Sequence, residues 1–405
     1  MAGPAFAMIY NAITGNQDAV KENGQAARLY QGFWTATNEK DYEELYGYAT
    51  GIYENAYSCD DLQGVIKVFD DSATPEKLKE LTESYSVEDA KRVSLTGNKQ
   101  MRTLRVADLE AKPGEKVSGY VHVIGAEFGI PVTLICGEKE GGTVLISGGV
   151  HNAEYVGIQA AMQLADELDP KKIAGNIIVI RLMNRTGFEH RTMSLTYEDG
   201  KNLNRVFPGN PNGTLSDRIA YTVVTEFFQK ADYYVDLHCG DGFEGLVSYV
   251  YCTGAAASEV AAKSREMAEI AHVDYLVTSM CGTGGAYNYA GSMGIPSILL
   301  ERGHSSRWCE DLVAEDVHDV KNILRHLGIL RGKSHIHGKP PIEVSPVIYE
   351  DAPVSGCWYP AKQPGETFKE GEVLEESAII LDVNCLYTEP KWVVLFFIRP
   401  SVCAL

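Results

Sequence analysis

The chain is 405 residues long with a formal net charge of −19 and nine cysteines, so two or three compact units are expected and core size is no limitation. The acidic balance argues against nucleic acid or an anionic membrane as main partner, because both need clustered Lys and Arg. Scattered cysteines without CxxC spacing fit a reducing compartment, and the lack of a basic leader or of roughly 18 consecutive apolar residues makes a cytoplasmic protein with no membrane span the expectation.

Residues 1–100 are rich in Tyr, Glu, Asp and Lys, with helical patches at Asp41-Tyr-Glu-Glu-Leu-Tyr and Thr74-Pro-Glu-Lys-Leu-Lys-Glu-Leu. The second carries Pro at its first helical position, a good start signal. This N-terminal helical extension offers no chemistry. Residues 101–339 alternate strand-like and helical runs. Val132–Cys136, Thr143–Ser147, Ile177–Arg181, Tyr234–Leu237, Gly245–Tyr251 and Ser297–Leu300 read as strands, an α/β pattern around a mostly buried sheet. From residue 340 to 405 the texture changes to short strands and Gly/Pro turns, as in Gln363-Pro-Gly-Glu-Thr, which fits a small all-β unit.

Within the middle part, Ser147-Gly-Gly-Val-His151-Asn-Ala-Glu154 places an imidazole and a carboxylate three residues apart between a strand and an alanine-rich helix through Leu168. An ordinary hydrogen-bonded pair explains that spacing. So does two-thirds of a hydrolytic zinc site, which needs three nitrogen or oxygen ligands and an open position. His238 ends the strand Tyr233-Tyr-Val-Asp-Leu-His and is the candidate third ligand, since ligands in open α/β sheets gather beyond the carboxyl ends of strands.

Two further segments carry candidate chemistry. Asp199-Gly-Lys-Asn-Leu-Asn204-Arg205-Val-Phe-Pro-Gly reads as a turn-rich loop; it also offers the planar fork of Arg205 and the amide of Asn204 to a substrate carboxylate. Pro296-Ser-Ile-Leu-Leu-Glu301-Arg-Gly ends a strand on a Glu, either a structural ion pair or the general base that takes the proton from water activated at zinc.

Taken together, Gly149-Val-His151-Asn-Ala-Glu154, Asp199 to Gly209, Asp236-Leu-His238 and Pro296 to Gly303 resemble the succinylglutamate desuccinylase/aspartoacylase family, the deacylase branch of the zinc carboxypeptidases. The four segments occur in the right order, and the resemblance covers about residues 101–375. It implies an α/β/α sandwich with a mixed sheet, of the zinc-carboxypeptidase kind, followed by a lipoyl-like β unit. It also implies one Zn²⁺ per chain on His151, Glu154 and His238, Glu301 as general base, and Asn204 with Arg205 on the substrate carboxylate. Arg191 falls where the superfamily places an arginine that polarises the scissile carbonyl. The chain departs from its relatives at Asn184-Arg185, where they read Asn-Pro, and at Arg302-Gly-His304, where a glycine pair is usual.

The expected function is therefore zinc-dependent hydrolysis of the amide bond in a small N-acyl amino acid or related metabolite. Carboxypeptidase action on peptide C-termini uses the same ligands and clamp, and a catalytically silent zinc or ligand-binding protein is the third alternative. The apolar run Lys391-Trp-Val-Val-Leu-Phe-Phe-Ile-Arg could pair with another subunit, which leaves a homo-oligomer open.

Overall fold

The computed structural model describes residues 3–29, 62–84, 103–335, 339–344, 347, 357–369 and 372–378. Chain contacts divide it into two units, Met1–Met101 and Arg102–Leu405. In the first, helices α1 (Gly3–Ile13) and α2 (Pro75–Ser84) accompany a hairpin of β1 (Lys21–Glu22) and β2 (Gln25–Ala26). α2 starts as expected, with the Lys77 amide donating to the Thr74 hydroxyl at 3.3 Å and Pro75 filling a position where no amide is needed. Ala7, Val20, Val65, Ile66 and Leu78 form its small core. The expected helix at Asp41–Tyr46 lies outside the described residues.

The second unit begins with a hairpin, β3 (Leu104–Val106) and β4 (Leu109–Ala111), and continues through β5 (Lys116–His122), β6 (Gly129–Cys136) and β7 (Lys139–Gly148). Then come α3 (Tyr155–Glu167), β8 (Ala174–Ile180), α4 (Arg185–His190), α5 (Leu215–Thr222) and β9 (Tyr233–His238). The remainder is β10 (Tyr249–Thr253), α6 (Ser258–Ile270), β11 (Tyr275–Ser279), α7 (Ala286–Ser292), β12 (Ser297–Glu301), α8 (Glu310–His326), β13 (Ile342–Glu343) and an antiparallel pair, β14 (Cys357–Pro360) with β15 (Glu375–Ala378).

Nine strands make one mixed sheet in the order β13-β11-β10-β12-β9-β7-β8-β6-β5. β8, β7, β9 and β12 run parallel at its centre, while β5, β6 and β10 introduce antiparallel pairings. Side chains alternate between the faces. Val144, Ile146, Val235, Leu237, Ile298 and Leu300 pack with α3, α6 and α8. Leu145, Ile178, Tyr234 and Leu299 face the opposite way, toward α5 and α7. Both faces are thus covered, which is why the central strands are nearly continuous apolar runs.

Three local differences from the sequence reading stand out. Gly245 to Ser248 precede β10 rather than opening it, because Gly245 and the polar Ser248 flank the aromatic run that is able to pair. β5 and β11 are not among the expected strands, yet both join the sheet. β13 lies beyond the expected 339 limit and pairs with β11 of the large sheet. Of the expected C-terminal β unit, the pair β14–β15 is described, and the run from Lys391 lies outside the described residues.

Candidate metal centre

Strand register brings the candidate residues to one end of the sheet. Glu301 lies opposite His238 across β12 and β9, and Gly148, at the end of β7, lies opposite Leu237. His151 follows three residues later. Helix α3 then has to approach β9 closely enough for Glu154, just ahead of it, to reach His238. Glycine makes this possible: a Cβ on Gly157 would stand 2.5 Å from the Leu237 carbonyl oxygen, so any larger residue would push the helix away.

His151, Glu154 and His238 offer ligand atoms that all lie within 4.8 Å of one another. His151 Nδ1 is 2.7 Å from Glu154 Oε1, and His238 Nδ1 is 2.9 Å from Glu154 Oε2. Glu154 stands at the N-cap of α3 without capping it; instead Oε2 accepts from the Cys239 amide at 3.2 Å. Glu154 and His238 are buried, each 1% exposed. Burial pushes the Glu154 carboxyl up, but the charges of His238 and His151 outweigh it and bring the value down to about 2. Burial likewise opposes a proton on His238, and Glu154 followed by Asp236 overrides it, holding that imidazole well above its usual range.

The far nitrogens of both rings face acceptor oxygens. His151 Nε2 is 3.0 Å from Asn202 Oδ1. That oxygen also accepts from the Asn204 amide at 2.8 Å, so Nε2 is the donor there and Nδ1 is the nitrogen turned to Glu154. His238 Nε2 lies 3.1 Å from Asp236 Oδ2, and neither His238 nitrogen meets hydrogen-bond geometry. Two imidazole Nδ1 atoms and a carboxylate thus converge with their outer nitrogens turned to an amide oxygen and a carboxylate. This donor set fits a divalent cation, because histidines that bind metals ordinarily give their other nitrogen to such acceptors.

Glu301 is half-buried, with Oε2 shielded and without a hydrogen-bond partner. Burial, then the neighbouring Glu154 charge, push its carboxyl well above the usual range. The loops after His238 and Glu301 are stitched together: Gly240 donates to Gly303 O at 3.0 Å, Ser306 to Gly240 O at 2.9 Å and Ser305 to Glu244 O at 2.9 Å. Arg302 turns away from Glu301 to the other face. Fully buried, it reaches Asp316 at 2.9 Å and Asp319 at 2.7 Å on α8. The departure noted at this position is a structural clamp, and His304 is exposed at the rim beside Ser305.

Residues 140–327 match the family model for the succinylglutamate desuccinylase/aspartoacylase catalytic domain. This part of the chain is thus similar to the catalytic domain of that family. Over 240 residues the chain is 26% identical to the N-alpha-acetyl-L-2,4-diaminobutyric acid deacetylase of Halomonas elongata, covering 58% of this chain and 67% of that protein. In fold it resembles the product-bound ectoine utilization protein EutE of Ruegeria pomeroyi, with a TM-score of 0.61 and 21% identity over 72% of this chain and 90% of that one. A succinylglutamate desuccinylase/aspartoacylase of Rhodobacter sphaeroides gives a TM-score of 0.60 and 25% identity, over 73% and 92% of the two chains.

The remaining residues implied by the family resemblance are placed less centrally. Asn204 is buried and its Oδ1 accepts from the Ala286 amide at 2.8 Å. It thereby ties the loop to the start of α7, leaving Nδ2 as the group able to face a ligand. Arg205 is exposed, and its Nη1 donates to the Asn204 carbonyl at 2.9 Å, so the fork is partly preset. Arg191 caps α4 in a left-handed conformation, φ 58°, and is exposed; among the described residues no hydrogen bond or ion pair links it to the cluster. Sequence reading assigned no role to Asn202 or Asp236. Asp236 had a usable signal, because residues two apart on a strand share a face.

Proposed function

We propose that this chain is a zinc-dependent hydrolase that cleaves the amide bond of a small N-acyl amino acid or related metabolite. The observation that carries the reading is the convergence of His151 and His238, through their Nδ1 atoms, on the Glu154 carboxylate. Zinc bound by these three residues supplies Lewis-acid polarisation of the scissile carbonyl and lowers the pKa of the attacking water. Glu301 accepts the proton from that water and returns it to the leaving nitrogen. Its carboxyl is raised by burial first and then by the neighbouring Glu154 charge, which suits a group that has to take up a proton. Arg205 and the Asn204 amide hold the substrate carboxylate, and Arg191 draws charge from the carbonyl oxygen when the substrate brings it near.

The C-terminal turn favours small substrates over polypeptides. A side chain on Gly245 would stand 3.2 Å from Pro364, and one on Gly365 would stand 2.9 Å from Val247. The turn after β14 therefore packs on the loop that follows His238, and peptide C-terminal cleavage is the weaker reading. The name of the Halomonas relative makes N-acetylated diamino acids the first compounds to test.

The test pairs zinc analysis with a hydrolysis screen of N-acyl amino acids and short peptides. Glu301→Gln should lower kcat by about 10²- to 10⁴-fold at unchanged zinc content. Intact turnover in that variant would remove Glu301 from the mechanism.

A further inference from the structure

Behind His238 lies a buried chain of polar side chains that the proposed mechanism does not use. Tyr234, Asp236 and His238 alternate along β9 onto one face, and Ser147 on β7 sits opposite Asp236 in the parallel register. Ser147 Oγ donates to Asp236 Oδ1 at 2.6 Å and lies 2.7 Å from the Tyr234 hydroxyl. Ser147, Tyr234 and Asp236 have no exposed surface. Ser147 gives its single proton to Asp236, so between the two hydroxyls Tyr234 is the one able to donate, and it also lies within reach of Asp236 itself. Every proton in the chain therefore points toward Asp236, and its other oxygen, Oδ2, faces His238 Nε2 at 3.1 Å.

We propose that Ser147 and Tyr234 are positioning residues for the metal site. Their one-way hydrogen bonds fix the Asp236 carboxylate as an acceptor for His238 Nε2–H and so hold His238 in the tautomer whose Nδ1 faces Glu154. The proposal rests on the zinc reading above and extends it two residues deeper than the carboxylate. A neutral hydroxyl pair suits this place because it fills Oδ1 without adding charge to a dry interior. The phenol stays protonated there, since burial and then the nearby Asp236 raise it well above its ordinary value. If Oδ1 lost its donor, Asp236 would be free to turn, and Oδ2 would no longer be held facing His238 Nε2. Partners of this kind, once removed, typically cost about 10- to 100-fold in metal affinity.

The experiment measures the zinc dissociation constant by chelator competition on the full chain, for wild type, Ser147→Ala and Tyr234→Phe. Cobalt(II)-substituted samples of each add a visible spectrum that reports ligand geometry independently of turnover. Ser147→Ala should weaken zinc about 10- to 100-fold. Tyr234→Phe, which keeps the ring and its packing, should weaken it to a smaller extent, and both should shift the cobalt bands. If Ser147→Ala fails to fold, Tyr234→Phe decides alone. Wild-type zinc affinity and an unaltered cobalt spectrum in the folded variants would overturn the positioning role. Wild-type protein that binds neither ion would instead overturn the zinc reading, and this proposal with it.

Discussion

An imidazole binds a cation only through a nitrogen that has given up its proton, and His238 is the residue where this matters most. In the metal-free protein Glu154 and Asp236 keep its proton on above the ordinary imidazole value of 6.5, against the opposing effect of burial. Ligation must expel that proton, so zinc binding is coupled to proton release. The sign follows: affinity strengthens as pH rises, by up to about tenfold per pH unit while His238 remains protonated. Chelator titrations at about pH 6 and about pH 8 should show this, with proton release in weakly buffered solution; a pH-independent dissociation constant would mean that His238 is not a ligand. At this scale the sequence was informative where geometry is local. A His and a Glu three residues apart at a strand-to-helix junction end up 2.7 Å apart. Ser147 and Asn202 were not legible, because their partners are 89 and 51 residues away and only cross-strand register or loop docking brings them together.

Arg302 connects elements rather than residues. It ends β12 and enters α8's polar stripe, where Asp316 and Asp319 receive its fork and the His272 carbonyl accepts a further bond at 2.8 Å. Its own amide donates to the His238 carbonyl at 3.2 Å, so the clamp fixes the ends of β9 and β12 as well as the helix. Arg302→Met would leave two carboxylates buried without their cation. Breaking a buried pair from one side costs about 3–5 kcal/mol, and urea unfolding of the full chain should show a loss of that size in the transition of the larger unit. An unchanged midpoint would make the cluster a neutral passenger. The sequence showed Glu301-Arg302 as either an ion pair or a catalytic Glu; alternation along the strand lets adjacent residues do both on opposite faces. The same alternation explains why the parallel centre was easy to read and the edges were not. The sheet-centre runs of β7, β8, β9 and β12 are buried on both faces, whereas β5 mixes exposed and half-buried residues through Lys116, Ser118 and Tyr120, as expected where one face meets water.

Chain contacts divide the protein between Met101 and Arg102, and each side has its own buried cluster. The smaller core rests on a few side chains, pinned by Asn11, which donates to the Val65 carbonyl at 2.9 Å and accepts from the Lys67 amide at 2.8 Å. The larger contains both faces of a nine-stranded sheet and all three candidate ligands. A cation that joins the ends of β7 and β9 binds only the folded larger unit, so it stabilises that unit by mass action, about 4 kcal/mol when free zinc exceeds its dissociation constant a thousandfold. Heating should therefore give two calorimetric transitions, of which only that of the larger unit moves up with zinc and down with chelator. The smaller unit, which holds none of the three candidate ligands, should melt at the same temperature in both conditions. A single transition that shifts as a whole with zinc would mean that the two cores fold as one cooperative body, and that the metal stabilises the entire chain.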